Sequence, residues 1–95
     1  MTKIVIFQNI LAERQKQDAQ WGGPEHDDKH DTYEFVTFID DQISKLDDEI
    51  ENAEMDDSIF RSRLVKMAAI AVAGIEVIDR HRLRNRPQKA ETEQT

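Results

Sequence analysis

Met67-Ala68-Ala69-Ile70-Ala71-Val72-Ala73-Gly74-Ile75 is the most apolar run in the chain, and its reading decides the fold. It is far short of the roughly 20 apolar residues that cross a bilayer. Through it and on either side, Phe60, Leu64, Met67, Ala68, Ala71, Ile75 and Ile78 recur at helical spacing. The run is therefore the middle of a helix from about Ile59 to about Arg86, stopped by Pro87. A helix apolar all round must be covered on more than one side. Ala68, Ala69, Ala71, Ala73 and Gly74 allow other helix axes to come close. One partner hairpin covers too little of this surface, so the run predicts a subunit interface as well as a core.

Upstream lies the strongest periodic signal. Val36, Ile39, Ile43, Leu46, Ile50 and Ala53 follow one another at intervals of 3, 4, 3, 4 and 3, a heptad-type seam. Asp31-Thr32-Tyr33-Glu34 has the spacing of a capping box and opens this second helix. Met55-Asp56-Asp57-Ser58 supplies the turn and cap before the third. A first helix is predicted from Thr2, its N-cap, to about Ala19, with Ile4, Phe7, Ile10, Leu11 and Arg14 as a narrow stripe. The β-branched Ile4-Val5-Ile6 leaves a short β segment open there. Trp21-Gly22-Gly23-Pro24 ends the helix. The expected fold is all-α: three helices, with a long antiparallel hairpin of the second and third plus a shorter N-terminal helix, assembling as an oligomeric bundle. Residues 1–87 form a single helical domain, and the polar stretch 88–95 is expected to be a disordered tail.

Composition narrows the function classes. A chain of 95 residues, 38% hydrophobic and 35% charged, buries a modest core alone and gains from self-association. Without cysteine it has neither disulfides nor a thiolate metal site. Ile4-Val5-Ile6-Phe7 is too short for a signal peptide, so the expected location is cytoplasmic, with no membrane span. Net charge is −7, with 16 acids and 5 bases in residues 1–57 against 4 and 8 in residues 58–95. That overall charge disfavours direct nucleic-acid binding, since the basic excess is confined to Arg80, Arg82, Arg84, Arg86 and their neighbours.

Four groupings have chemistry in them. His26, Asp27, Asp28 and His30, followed by Glu34, offer imidazole and carboxylate ligands for a divalent transition metal, or else caps and solvated histidines. Asp47 and Glu51, beside Asp48, stack at i, i+4 on the acidic face of the second helix; they suit a hydrated Mg²⁺ or are simply solvated. Glu76 and Asp79 sit in apolar surroundings and need a partner, which Arg80, His81 or Arg82 can supply. Trp21, the only tryptophan, either stacks on a base or guanidinium or plugs the end of the bundle. No nucleophile and no phosphate loop is present.

Ala12 to Gly22, the His26-Asp27-Asp28-Lys29-His30 loop with Glu34-Phe35, and Leu64-Val65-Lys66-Met67-Ala68-Ala69 through Ile75-Glu76-Val77-Ile78-Asp79-Arg80 resemble a group of small helical phage and prophage proteins. The last helix is also similar to the MazG-like all-α nucleotide pyrophosphohydrolases. That resemblance implies an EExxE helix and an ExxD helix jointly holding Mg²⁺ for a nucleoside triphosphate, in dimers or dimers of dimers. Asp47-Asp48-Glu49-Ile50-Glu51 matches the first motif with aspartates for glutamates, and Glu76-Val77-Ile78-Asp79 spells the second.

The leading functional expectation is a phage-type accessory protein in the host cytoplasm, a homo-oligomer acting by binding without catalysis. Its target is either a host defence-system protein or a nucleotide-like ligand. The alternative is a divergent Mg-dependent pyrophosphohydrolase. An antiparallel hairpin turning near residues 55–58 puts Glu51 opposite about Leu64, about 20 Å or more from Glu76 and Asp79 at 1.5 Å per residue. The same geometry brings Glu76 and Asp79 toward the His26 loop. The expected ligand site is thus Arg14, Trp21, His26, His30, Glu34, Glu76, Asp79 and Arg80, with His26, Asp28, His30, Glu76 and Asp79 as candidate ligands for Mg²⁺ or another divalent metal.

Overall fold

The helix boundaries follow from local caps. In the computed structural model, which describes residues 2–52 and 56–85, α1 spans Lys3–Trp21, and the Thr2 hydroxyl accepts from the Val5 N–H at 3.4 Å. Ile4-Val5-Ile6 is helical, not extended. The helix runs past Ala19 because the residue that stops it is Gly22, in the left-handed region at φ 105°, its N–H donating to the Asp18 carbonyl.

Gly23 then takes φ 72° and Pro24 opens a one-turn helix, α2 (Pro24–Asp27). This element corrects the expectation of three helices. The Gly-Gly-Pro punctuation ends one helix and starts another.

The predicted capping box is present: Glu34 N–H donates to Asp31 Oδ1 at 2.9 Å and Asp31 N–H to Glu34 Oε1 at 3.1 Å, opening α3 (Thr32–Glu51). Asp56 caps α4 (Asp57–Asn85) through the Ile59 N–H at 2.8 Å. The expectation of a disordered tail falls on residues outside those described. No strand occurs among the described residues, and no helix is long and apolar enough to cross a membrane.

α3 and α4 form the antiparallel hairpin, with α1 laid along the other flank of α4. α1 and α3 each pack on α4 and hardly touch one another. Two sides of the Met67–Ile75 run are thus covered within one chain. The face of α4 turned inward is Ala69, Ala73 and Val77, at four-residue spacing, with Ile70 beside them. Phe35 of α3 seats its ring against Gly74, where an added Cβ would lie 3.4 Å from the ring.

The stripe expected to be the core of the third helix points elsewhere. Phe60 is 41% exposed, Leu64 49%, Ile75 57% and Ile78 36%. A stripe of large residues and a stripe of small ones share this helix, and the close approach of α1 and α3 selects the small one. The α3 seam divides likewise: Ile39 and Leu46 are half-buried, while Val36, Ile43 and Ile50 are exposed.

Candidate functional site

Arg14 lies just past the middle of α1 and is buried, at 6% exposure. Every arm of its guanidinium is engaged. Nε donates to Glu76 Oε1 at 3.0 Å, Nη1 to Gln17 Oε1 at 3.3 Å, and Nη2 to Asp18 Oδ1 at 3.0 Å and Asp27 Oδ2 at 3.3 Å. One side chain thereby joins α1, α2 and α4. Burial alone disfavours the Arg14 charge, but the hydrogen bond and charge of Glu76, then Asp18, outweigh it and push its pKa up. Asp27 responds in the opposite sense for an acid: burial raises its pKa, and the Arg14 charge only partly offsets this.

Glu76 therefore finds its partner on α1 and not, as expected, among Arg80, His81 and Arg82 of its own helix. Arg80 is taken by Asp28: Nε donates to Oδ1 at 3.0 Å and Nη2 lies 2.9 Å from the same oxygen. The two guanidinium groups, Arg14 on Asp27 and Arg80 on Asp28, hold the C-terminal end of α2 on the side of α4.

Next to this lattice runs a ring ladder. Trp21 stacks on His26 with centroids 5.8 Å apart and planes 22° from parallel. His26 and His30 meet edge-on, their Nε2 atoms 3.3 Å apart. His30 packs edge-on against Phe35 and Phe38, and its Nδ1 lies 2.8 Å from Glu34 Oε2. That hydrogen bond, followed by the one from the Asp31 N–H, holds the Glu34 carboxyl below the usual range. Trp21 is 56% exposed, so it is a wall of the site and not the plug of a bundle end.

Because α1 and α3 splay apart over α4, a groove of about 560 Å³ opens between them. Its aromatic end is Trp21, His26, His30, Phe35 and Phe38; its flanks carry Glu13, Lys16, Gln17 and Gln20 from α1 and Asp41, Gln42 and Lys45 from α3; Lys66, Ile70 and Ala73 form the floor. Lys45 is paired with Asp41 at 3.2 Å, whereas Lys16 and Lys66 are in no ion pair among the described residues.

Of the residues expected at the site, Arg14, Trp21, His26, His30, Glu34, Glu76 and Arg80 converge on this end of the molecule. Asp79 is exposed and in no ion pair among the described residues. The expected metal set of His26, Asp28, His30, Glu76 and Asp79 is not assembled, because guanidinium groups hold the Asp28 and Glu76 carboxylates. Among the described residues no three His, Asp or Glu side chains are grouped so as to hold a metal ion.

The acidic face of α3 lies at the other end. Glu49 accepts from Arg63 at 2.9 and 3.3 Å, which holds its carboxyl below the usual range, while Phe35 faces Gly74. This register leaves Glu51 about 20 Å along the hairpin from Glu76. The groove residues Lys16, Gln20, Phe38, Lys45 and Lys66 escaped sequence reading, since they come together only through the splay of α1 from α3.

No family model, curated protein or solved structure matches the chain significantly.

Proposed function

We propose that this chain is a binding protein that works as a homo-oligomer and takes a nucleotide-like ligand in the groove between α1 and α3. The observation that carries the reading is the meeting of aromatic and cationic groups in one recess. Trp21, half-exposed and already aligned with His26, presents a face for a planar base. Lys16, Lys45 and Lys66 supply positive charge for a phosphate in a chain whose net charge is −7. Asp27, which lines the groove beside His26, is tied to Arg14 and does not oppose an anion freely. The volume falls in the range of small-molecule sites, about 300–1,000 Å³.

Self-association is supported by the opposite face. At 3.6 residues per turn, Phe60, Leu64, Ile75 and Ile78 lie on the side of α4 away from the groove floor, and Val36, Ile43 and Ile50 on the side of α3 away from Phe38 and Lys45. Ile4 and Leu11 of α1, 68% and 57% exposed, extend the patch. Together they hold on the order of 800 Å² of apolar surface outside the chain, about what one partner contributes to a stable interface. The occupant we propose is a second copy, since each of the three long helices offers the same kind of apolar stripe there.

The resemblance to small phage and prophage proteins suggests the setting, an accessory protein acting by sequestration in an infected cell. Trp21, as the only tryptophan, makes the test direct. Titration of the full chain with mononucleotides and cyclic dinucleotides should quench its fluorescence saturably, and Lys66→Glu should weaken that response at least about 10-fold. A flat response to the whole panel rejects the ligand. Release of pyrophosphate from a triphosphate with Mg²⁺ or Mn²⁺ would replace binding with hydrolysis.

A further inference from the structure

The His26–His30 pair has a geometry that ordinary packing does not require. The two rings come from different elements, α2 and the α2–α3 connection, yet the same nitrogen of each, Nε2, meets the other at 3.3 Å, within hydrogen-bond range. Zn–N bonds of about 2.0–2.1 Å meeting near the tetrahedral angle put two ring nitrogens roughly 3.3 Å apart.

The second feature is behind the ring. Glu34 Oε2 sits 2.8 Å from His30 Nδ1. A carboxylate there accepts a hydrogen bond from Nδ1–H, which keeps the proton on Nδ1 and leaves Nε2 as a bare lone pair, the tautomer a metal needs. Glu34 is itself fixed, because its other oxygen accepts the Asp31 N–H of the capping box. The third feature is the surroundings: Trp21 covers His26, Phe38 covers His30, and the pair borders the groove.

We propose that His26 and His30 form a two-histidine site for a borderline-soft divalent transition metal of the Zn²⁺ class, with Glu34 as the group that orients His30. Imidazole suits Zn²⁺, Ni²⁺ and Cu²⁺ and not Mg²⁺ or Ca²⁺. Two protein donors leave the remaining coordination positions open, facing the groove, for water or for the phosphate or ring nitrogen of a bound ligand. The site stands independently of the nucleotide reading, because its own donors suffice to test it.

The test is calorimetric titration of the full chain with ZnCl₂ alone, alongside the visible absorption of the Co²⁺ form. One saturable equivalent per chain is expected, with Mg²⁺ giving none. His26→Gln, a substitution at a half-buried residue outside the core, should abolish the saturable phase. Glu34→Gln should weaken it roughly 10-fold. An amide cannot accept from both His30 Nδ1–H and the Asp31 N–H, so His30 shifts to the tautomer whose Nε2 carries the proton. Unchanged far-UV circular dichroism keeps both variants interpretable, and His81→Gln serves as the control that leaves binding intact. Absence of saturable Zn²⁺ binding, or its survival in His26→Gln, overturns the proposal and leaves the pair as a simple shared-proton hydrogen bond.

Discussion

Arg14 occupies a place in the α1 stripe that by spacing alone belongs to an apolar residue, and it is kept there by three carboxylates from two other segments and its own helix. Its fork is what makes this possible, since three donors reach in three directions at once. Removing it leaves Asp18, Asp27 and Glu76 facing one another without a cation. Asp18 and Glu76 are 39% and 44% exposed, so water relieves part of that repulsion. Arg14→Ala is expected to cost about 3 kcal/mol, the low end for breaking a buried ion pair, read as the shift in a urea unfolding midpoint. Arg14→Lys should recover only part of it.

The carboxylates also set the response to acid. Glu34 and Glu49 have lowered folded-state pKa values, through His30 and Arg63 respectively. Their contribution is therefore complete above the ordinary carboxylate range and is lost as pH falls through the lowered values. Asp27, whose pKa burial raises, works with the opposite sign, costing stability as it ionises. Glu34→Gln should flatten the decline in stability between about pH 5 and about pH 3.

At the scale of the helices, Gly74 is where Phe35 of α3 packs onto α4. A methyl group there meets Phe35 at 3.4–3.7 Å, ordinary van der Waals contact. Gly74→Ala thus fits without displacement and removes the helix penalty of glycine, for an expected gain of about 0.5–1 kcal/mol in thermal or chemical unfolding. Gly74→Leu should instead push Phe35 off its seat and loosen the hairpin.

The elements themselves were legible in the chain for local reasons: Thr2, Asp31 with Glu34, and the Gly22-Gly23-Pro24 punctuation each act within a few residues of their own position. The hairpin register was legible too, because a short turn fixes it, and it correctly carried Glu76 toward the His26 loop. What the sequence withheld depends on a third helix. Phe60, Leu64 and Ile75 look more like core than Ala69 and Ala73 until α1 is seen to need the closer approach. Glu76 met Arg14 and not Arg80 because α2, an unforeseen single turn, brought Asp28 to Arg80. The groove lysines are ordinary solvated residues by any local criterion, and only the gap between α1 and α3 groups them.

On the scale of the molecule, two faces with different chemistry lie back to back. One holds the groove, with its rings and lysines; the other gathers exposed apolar side chains from all three long helices, Leu11, Ile43, Leu64 and Ile75 among them. Within a single chain, Phe35, Ala69, Ala73 and Val77 are the buried hydrophobic residues among those described, and no large side chain is fully enclosed. Such a core is thin for a chain of 95 residues. In the oligomer proposed above, the apolar face would be buried against a second copy, adding to this core without touching the groove. That separation makes the two properties separable by mutation. Sedimentation at micromolar concentration should give a dimer or larger assembly for the native chain. Ile43→Glu with Ile75→Glu should convert it to a less stable monomer, its melting temperature losing its dependence on protein concentration. If the groove is complete in one chain, the monomer should still quench Trp21 on nucleotide addition at low temperature; a native chain that sediments as a well-folded monomer removes the interface altogether.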